Sequence, residues 1–164
     1  MRPSRLWRHV FAMPARRRFP PAAMDAIQTA IAEGEARHGG EVCFALEARL
    51  PLPELFEGRT PRQRAEEVFA QLRVWDTEHR TGVLLYLLLA DRAIEIVADR
   101  GVARHVPAVA WNAVCATMRE RFAAGDWIGG AQAGIAATHA LLAAHLPPRP
   151  HGAADELPDR PVVL

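Results

Sequence analysis

The 164-residue chain contains no lysine, so its twenty basic residues are all arginine. The absence runs through the whole chain and reads as a codon bias toward GC-rich triplets, which carries no functional conclusion. Cysteine is nearly as scarce. Cys43 and Cys115 each fall in an apolar run, and neither has a second Cys or a His at metal-ligand spacing. They read as buried free thiols, which removes a zinc site and gives no sign of an oxidising compartment. Long apolar runs are missing too. The longest, Val83 to Ala90, falls far short of the roughly 20 residues a membrane span needs, and the N-terminus lacks the apolar core and small-residue cleavage site of a secretory signal. A cytoplasmic location is the expectation, with peripheral membrane contact as its variant. No nucleophile elbow, Walker loop, HExxH or paired CxxC occurs.

The chain is long enough to bury one sizeable core and too short for two ordinary domains. Its net charge of +1 is unevenly spread. Residues 1–20 form a basic leader with Arg2, Arg5, Arg8, Arg16, Arg17 and Arg18 and no acid, mixed with Leu6, Trp7, Val10, Phe11 and Phe19. Two readings of the leader stand: an anchor for a membrane surface or acidic partner, and a packing arm or frayed tail in which Pro3 and Pro14 interrupt any long amphipathic helix. The body, 21–147, is mildly acidic, which argues against nucleic acid as a partner. Residues 148–164 are rich in Pro, Gly and charge and are expected to be disordered.

Within the body, Met24, Ile27 and Ile31 recur at helical spacing until His38, Gly39 and Gly40 end the pattern. Val42 to Leu46 reads as a short buried strand, and Leu50 to Arg59, with Pro51, Pro53 and Gly58, as a surface loop. Thr60, Pro61 and Gln63 make a capping box that opens a helix with Ala65, Val68, Phe69, Leu72 and Trp75 on one face. Then comes TGVLLYLLLADRAIEIVADRG, Thr81 to Gly101: a continuous apolar run, a tight turn at Ala90, Asp91 and Arg92, and an alternating run. It reads as an antiparallel hairpin whose first strand is covered on both faces. Pro107 opens another helix, and Asp126 caps a last one in which Gly129, Gly130 and Gly134 form a close-packing seam. The order implies an α/β fold, a three-layer α/β/α sandwich with a small mixed sheet. A right-handed crossover makes the first two strands parallel.

This topology gathers candidate chemistry at two ends of the sheet. At one end, Asp76 and Glu78 precede the second strand while Asp99 and Arg100 follow the third. Three carboxylates with water could hold Mg²⁺ or Ca²⁺, and Arg100 could contact a phosphate or other anion; the bland reading is a solvated loop. At the opposite edge lie Glu47 and Arg49 after the first strand and Asp91 and Arg92 in the turn. Ligands of open α/β sheets collect outside the carboxyl ends of the strands, which favours this edge, although turn chemistry accounts for Asp91. The histidines form neither a triad nor a zinc site.

The hairpin, with FAAGDWIGGAQAGIAA in the last helix, resembles the TPM domain family, which includes thylakoid-lumen proteins of photosystem II maintenance and many bacterial proteins. The resemblance spans about Pro21 to Leu146. It implies an α/β/α sandwich and, for some members, divalent-cation binding and weak acid phosphatase activity. Asp76 stands at the Asp of the family's Gly-Asp pair, and Asp91 and Arg92 stand at its DR turn. Arg80 and Thr81 replace a usual Asp-Asn, and Asp99 and Arg100 replace Gly-Tyr before Gly101. The expectation is a TPM-domain accessory module that is non-catalytic and binds a protein partner or membrane surface. The alternative is a cation-dependent phosphatase-like hydrolase.

Overall fold

The computed structural model describes residues 3–149, 152 and 154–164. Met1 and Arg2 of the leader, and Pro150, His151 and Ala153 of the tail, lie outside the described residues. The chain runs α1 (Pro3–Val10), α2 (Ala15–Arg18), α3 (Pro21–Glu35), β1 (Glu41–Glu47), α4 (Leu52–Phe56), α5 (Pro61–Gln71), β2 (Gly82–Leu88), β3 (Ala93–Ala98), α6 (Arg100–Ala103), a 3-10 turn (Ala108–Ala110), α7 (Trp111–Ala123), α8 (Trp127–His145) and β4 (Val162–Val163). The strands form one mixed sheet in the order β3-β2-β1-β4. β1 and β2 are parallel, with Glu41 opposite Gly82 and Glu47 opposite Leu88, and β2 and β3 are antiparallel.

Every residue of β1 and β2 is buried, so both sheet faces must be covered. Because side chains alternate across a strand, each strand feeds two cores. Val42, Phe44, Leu46, Val83, Leu85 and Leu87 pack with Ile27 and Ile31 of α3, Met118 of α7 and Ile135 of α8. Cys43, Ala45, Leu84, Tyr86 and Leu88 pack with Leu55 of α4 and with Ala65 and Val68 of α5. The α/β/α layering follows from this double burial.

The helix starts match the sequence signals. Thr60 and Gln63 close a reciprocal capping box on α5, and the Asp126 carboxylate accepts the Gly129 N–H on α8. A Cβ on Gly130 would lie 2.5 Å from the Phe122 ring, and one on Gly134 would lie 2.4 Å from Met118. Those glycines therefore set the close approach of α7 and α8. α5 ends at Gln71, after which Arg73 takes a positive φ of 55°. That turn lifts Trp75 off the expected apolar face and leaves it 48 % exposed.

Two terminal expectations need correction. The tail is not disordered over its described part: Leu157 is buried, and Val162 and Val163 pair in parallel with Ala45 and Leu46. A two-residue strand supplies too little periodicity to show in the sequence. The leader is not frayed: His9, Ala15 and Phe19 are buried, and Pro14 divides it into two short helices. The Pro-rich connection after β1 also contains α4, which the proline count conceals.

A buried histidine pair ties α8 to the loop before β1. His38 Nδ1 accepts the Gly40 N–H at 3.1 Å, and His38 Nε2 lies 2.8 Å from His139 Nδ1. The network assigns the His38 proton to Nε2, donating to His139, with both rings neutral. Burial lowers His38 to about 4 and His139 to about 3. The unfolded chain therefore takes up these protons first as pH falls below about 6.5, and the stability the pair contributes is lost from there downward. Each ring accounts for about 2 kcal/mol of lost stability near pH 5. In urea denaturation, His139→Leu should show a smaller loss of unfolding free energy between about pH 7 and pH 5 than the natural chain. An unchanged difference would show that the rings do not titrate this way.

Candidate functional site

At the end of the sheet where β2 begins and β3 ends, Trp75, Asp76, Thr77, Glu78, Arg80, Asp99 and Arg100 line one hollow of about 610 Å³. The hollow is built tightly from behind. A Cβ on Gly82 would lie 1.9 Å from the Val74 carbonyl oxygen, and one on Gly101 2.3 Å from that of His79. Asp76 is ion-paired to Arg73. Asp99 caps α6 by accepting the Arg100 N–H at 2.7 Å through Oδ1, and its Oδ2 is buried with no hydrogen-bond partner. The Glu78 N–H donates to Glu156 of the C-terminal segment at 2.7 Å. Among the described residues, the group of three acids whose oxygens come within 4.8 Å of one another is a different one: Glu35, Glu41 and Asp155.

At the opposite edge, the structure gives each acid a structural partner. Glu47 is buried, receives Arg64 Nε at 2.9 Å and Arg64 Nη2 at 3.2 Å, and accepts the Tyr86 hydroxyl at 2.6 Å. Burial and that acceptor push the Tyr86 phenol up. Burial alone would lower Arg64, but Glu47 and Glu54 raise it instead. Asp91 is fixed by the leader: Arg5 Nη2 at 2.8 Å, Arg8 Nη2 at 3.3 Å and His9 Nε2 at 3.2 Å. Burial works to raise its carboxyl, and the Arg5 and His9 contacts overcome that and hold it below the usual range. The turn acid of the sequence reading is thus the point where the leader is fastened. Arg92, at φ 51°, is exposed beside it.

Arginines without an ion-pair partner among the described residues collect here. Arg18, Arg92 and Arg119, with Phe122 and Trp127, line a cleft of about 410 Å³ at the end of β2. The Arg18 guanidinium stacks 4.1 Å above the Trp127 ring. A neighbouring recess of about 230 Å³ shares Arg18 and Arg92 and adds Arg8, Phe11 and Met13. On the outer side of the leader, Trp7 is 61 % exposed, Phe11 69 % and Met13 42 %, and the Trp7 and Phe11 rings stack at 5.3 Å.

The residues that sequence reasoning misses lie around Glu35. Glu35 ends α3 and accepts the Val42 N–H at 2.6 Å. Glu41 opens β1, and Arg149 reaches its Oε1 at 3.0 Å. Burial pushes Glu35 up to about 9 and Glu41 up to about 7. Glu35 and Glu41 flank the HGG segment in the sequence, but Arg149 and Asp155 come from the tail, and no local pattern joins them.

With the fold and these clusters described, the TPM domain profile matches residues 17–141. The chain belongs to the TPM domain family. The BA42 protein of the psychrophilic bacterium Bizionia argentinensis has a similar solution structure, with TM-score 0.74 and 24 % identity over 94 % of this chain and 98 % of that one. The N-terminal domain of a P. gingivalis protein is also similar, at TM-score 0.63 and 17 % identity over 81 % and 82 % of the two chains. At these identities the likeness shows the fold. No curated protein gives a match. Among the described residues, no helix of this TPM-domain chain is long and apolar enough to cross a membrane.

If Asp91 fastens the leader, Asp91→Asn should lower the unfolding free energy by about 1.5–3 kcal/mol. It should also speed tryptic cleavage at Arg5 and Arg8. Equal cleavage rates in the two proteins would remove that role.

Proposed function

We propose that this TPM-domain chain is a non-catalytic accessory module that docks on an anionic surface, a membrane or an acidic protein partner, through the outer side of its leader. The carrying observation is the pairing of exposed Trp7, Phe11 and Met13 with Arg8, Arg16, Arg17 and Arg18 on a leader whose other side is fastened to the body through Asp91 and Phe19. Aromatic rings beside cationic groups suit the boundary between headgroups and acyl chains, and basic residues each add about 1 kcal/mol near an anionic bilayer. A location in the cytoplasm, peripheral to the membrane, fits that reading. The nucleophile and general acid that hydrolysis would require find no obvious candidates, since Glu47 and Asp91 are committed to Arg64 and the leader. In vesicle co-sedimentation, the chain should bind phosphatidylserine-containing vesicles and not phosphatidylcholine vesicles, with binding weakened by salt. The exposed-site variant Trp7→Ser, Phe11→Ser, Arg16→Glu, Arg17→Glu should lose this binding. Equal retention by that variant would defeat the proposal.

A second reading is favoured by the hollow that holds Asp76, Glu78, Asp99 and Arg100: a divalent-cation-dependent phosphatase-like hydrolase with weak acid phosphatase activity. The orphaned Asp99 Oδ2 suits a hard cation such as Mg²⁺ or Ca²⁺, while the Arg73 pairing of Asp76 works against it. A bound cation supplies charge stabilisation and an acidified water. Asp99 would hold it, Asp76 and Glu78 would move in to complete the set, and Arg100 would neutralise a phosphoryl oxygen. With p-nitrophenyl phosphate at acid pH, this reading expects Mg²⁺-dependent turnover that falls at least about tenfold in Asp99→Asn. Turnover without Mg²⁺ dependence, or equal turnover in the variant, would reject it.

A further inference from the structure

Glu35, Glu41 and Asp155 each present an oxygen within 4.8 Å of the other two. Two of these side chains are almost wholly inside the protein, at 4 % and 5 % side-chain exposure for Glu35 and Glu41, while Asp155 closes the group from the solvent side at 54 %. One guanidinium faces all three: Arg149 lies 3.6 Å from Glu35, 3.0 Å from Glu41 and 3.8 Å from Asp155. A single positive charge therefore serves three carboxylates in a site that water barely reaches. Glu41 Oε2 shows the shortfall directly, since it is buried and has no hydrogen-bond partner. A buried carboxylate oxygen left unmatched costs free energy until a cation or donor meets it.

We infer that Glu35, Glu41 and Asp155 form a divalent-cation site of the calcium class, in which the Arg149 guanidinium is a tethered counter-ion that the metal ion displaces. This inference depends on neither reading above. The oxygens suit calcium chemistry: Ca²⁺ accepts carboxylates in irregular, mono- or bidentate arrangements with M–O distances of roughly 2.3–2.6 Å. Two ligands on opposite sides of such an ion stand about 4.6–5.2 Å apart, and the cluster fits within that reach. No thiol or imidazole belongs to the group, so a softer metal is not indicated. Arg149 also donates to the Ala154 carbonyl oxygen at 2.7 Å, and its departure would release that oxygen as a neutral ligand beside Asp155.

The site has two halves. Glu35 and Glu41 come from the body, at the end of α3 and the start of β1. Arg149 and Asp155 come from the C-terminal segment, which is held by buried Leu157 and by β4. Exchange of Arg149 for a metal ion replaces one body-to-tail tie with another, so the segment remains docked while the ion is bound.

Calcium titration of the full chain by calorimetry, with amide spectra recorded in parallel, tests the assignment. The expected result is saturable uptake of one Ca²⁺ per chain, with movement of the Val42 amide resonance that reports Glu35. Glu41→Gln should weaken binding roughly tenfold or more, and Arg149→Gln should tighten it by removing the competing charge. Asp155→Asn, at an exposed position that leaves the core intact, should weaken it as well. Asp99→Asn should bind as the natural chain does, which separates this site from the hairpin hollow. The inference is overturned by absence of saturable uptake up to roughly 10⁻³ M Ca²⁺, the weak end for calcium modules. Affinity unchanged in Asp155→Asn, or affinity lost in Asp99→Asn, would overturn it too.

Discussion

Two adjacent parallel strands with no exposed residue constrain everything else in this molecule. β1 and β2 contribute seven buried residues each, and a strand buried on both faces cannot carry a polar side chain in its middle without a partner. The sheet centre is therefore chemically silent. Charged groups are confined to the strand ends, where Glu41 and Glu47 terminate β1, and to the loops that follow. Helices must then occupy both faces, and the two cores divide the strand residues by parity. Tyr86 is the exception that fits the rule: its hydroxyl, on a central strand, reaches Glu47 at the strand's end.

At those ends the distinction between structural and available charge matters more than the number of acids. Glu47 and Asp91 are committed, the first to Arg64 and Tyr86 and the second to the leader. Taking such pairs out of water costs desolvation that their contacts only roughly offset, so their main effect is to fix the arrangement of the pieces they join. Glu41 and Asp99 differ, because each keeps a buried oxygen without a hydrogen-bond partner. Both lie at the end of the sheet where β1 and β2 begin. The C-terminal segment connects the two places, with Asp155 beside Glu41 and the adjoining Glu156 on the Glu78 N–H.

Features encoded locally are readable in the sequence. The Thr60 capping box, the Asp126 cap, the glycine seam of α8 and the hairpin depend on residues close together in the chain, and the parallel order of β1 and β2 follows from a handedness rule. Features that depend on distant partners are not. Asp91 satisfies the turn rules by itself, and nothing near it announces Arg5, 86 positions away. Glu47 likewise gives no sign of Arg64 or Tyr86. The acid group at Glu35 draws half of its members from the tail. Composition misleads there: proline, glycine and charge suggest disorder, while Leu157 and two valines suffice to dock the segment.

The placement of β4 also bears on how the molecule behaves among copies of itself. Without β4, the outer side of β1 would present unpaired N–H and C=O groups along one of the most apolar strands in the chain, a template for pairing with another molecule's strand. Val162 and Val163 cover only the stretch at Ala45 and Leu46, and the Leu164 N–H donates to the Leu46 carbonyl at 3.0 Å. The last three residues thus guard the sheet's vulnerable margin. Proteolytic trimming at the C-terminus would convert a well-behaved monomeric edge into a sticky one, long before it disturbed either core.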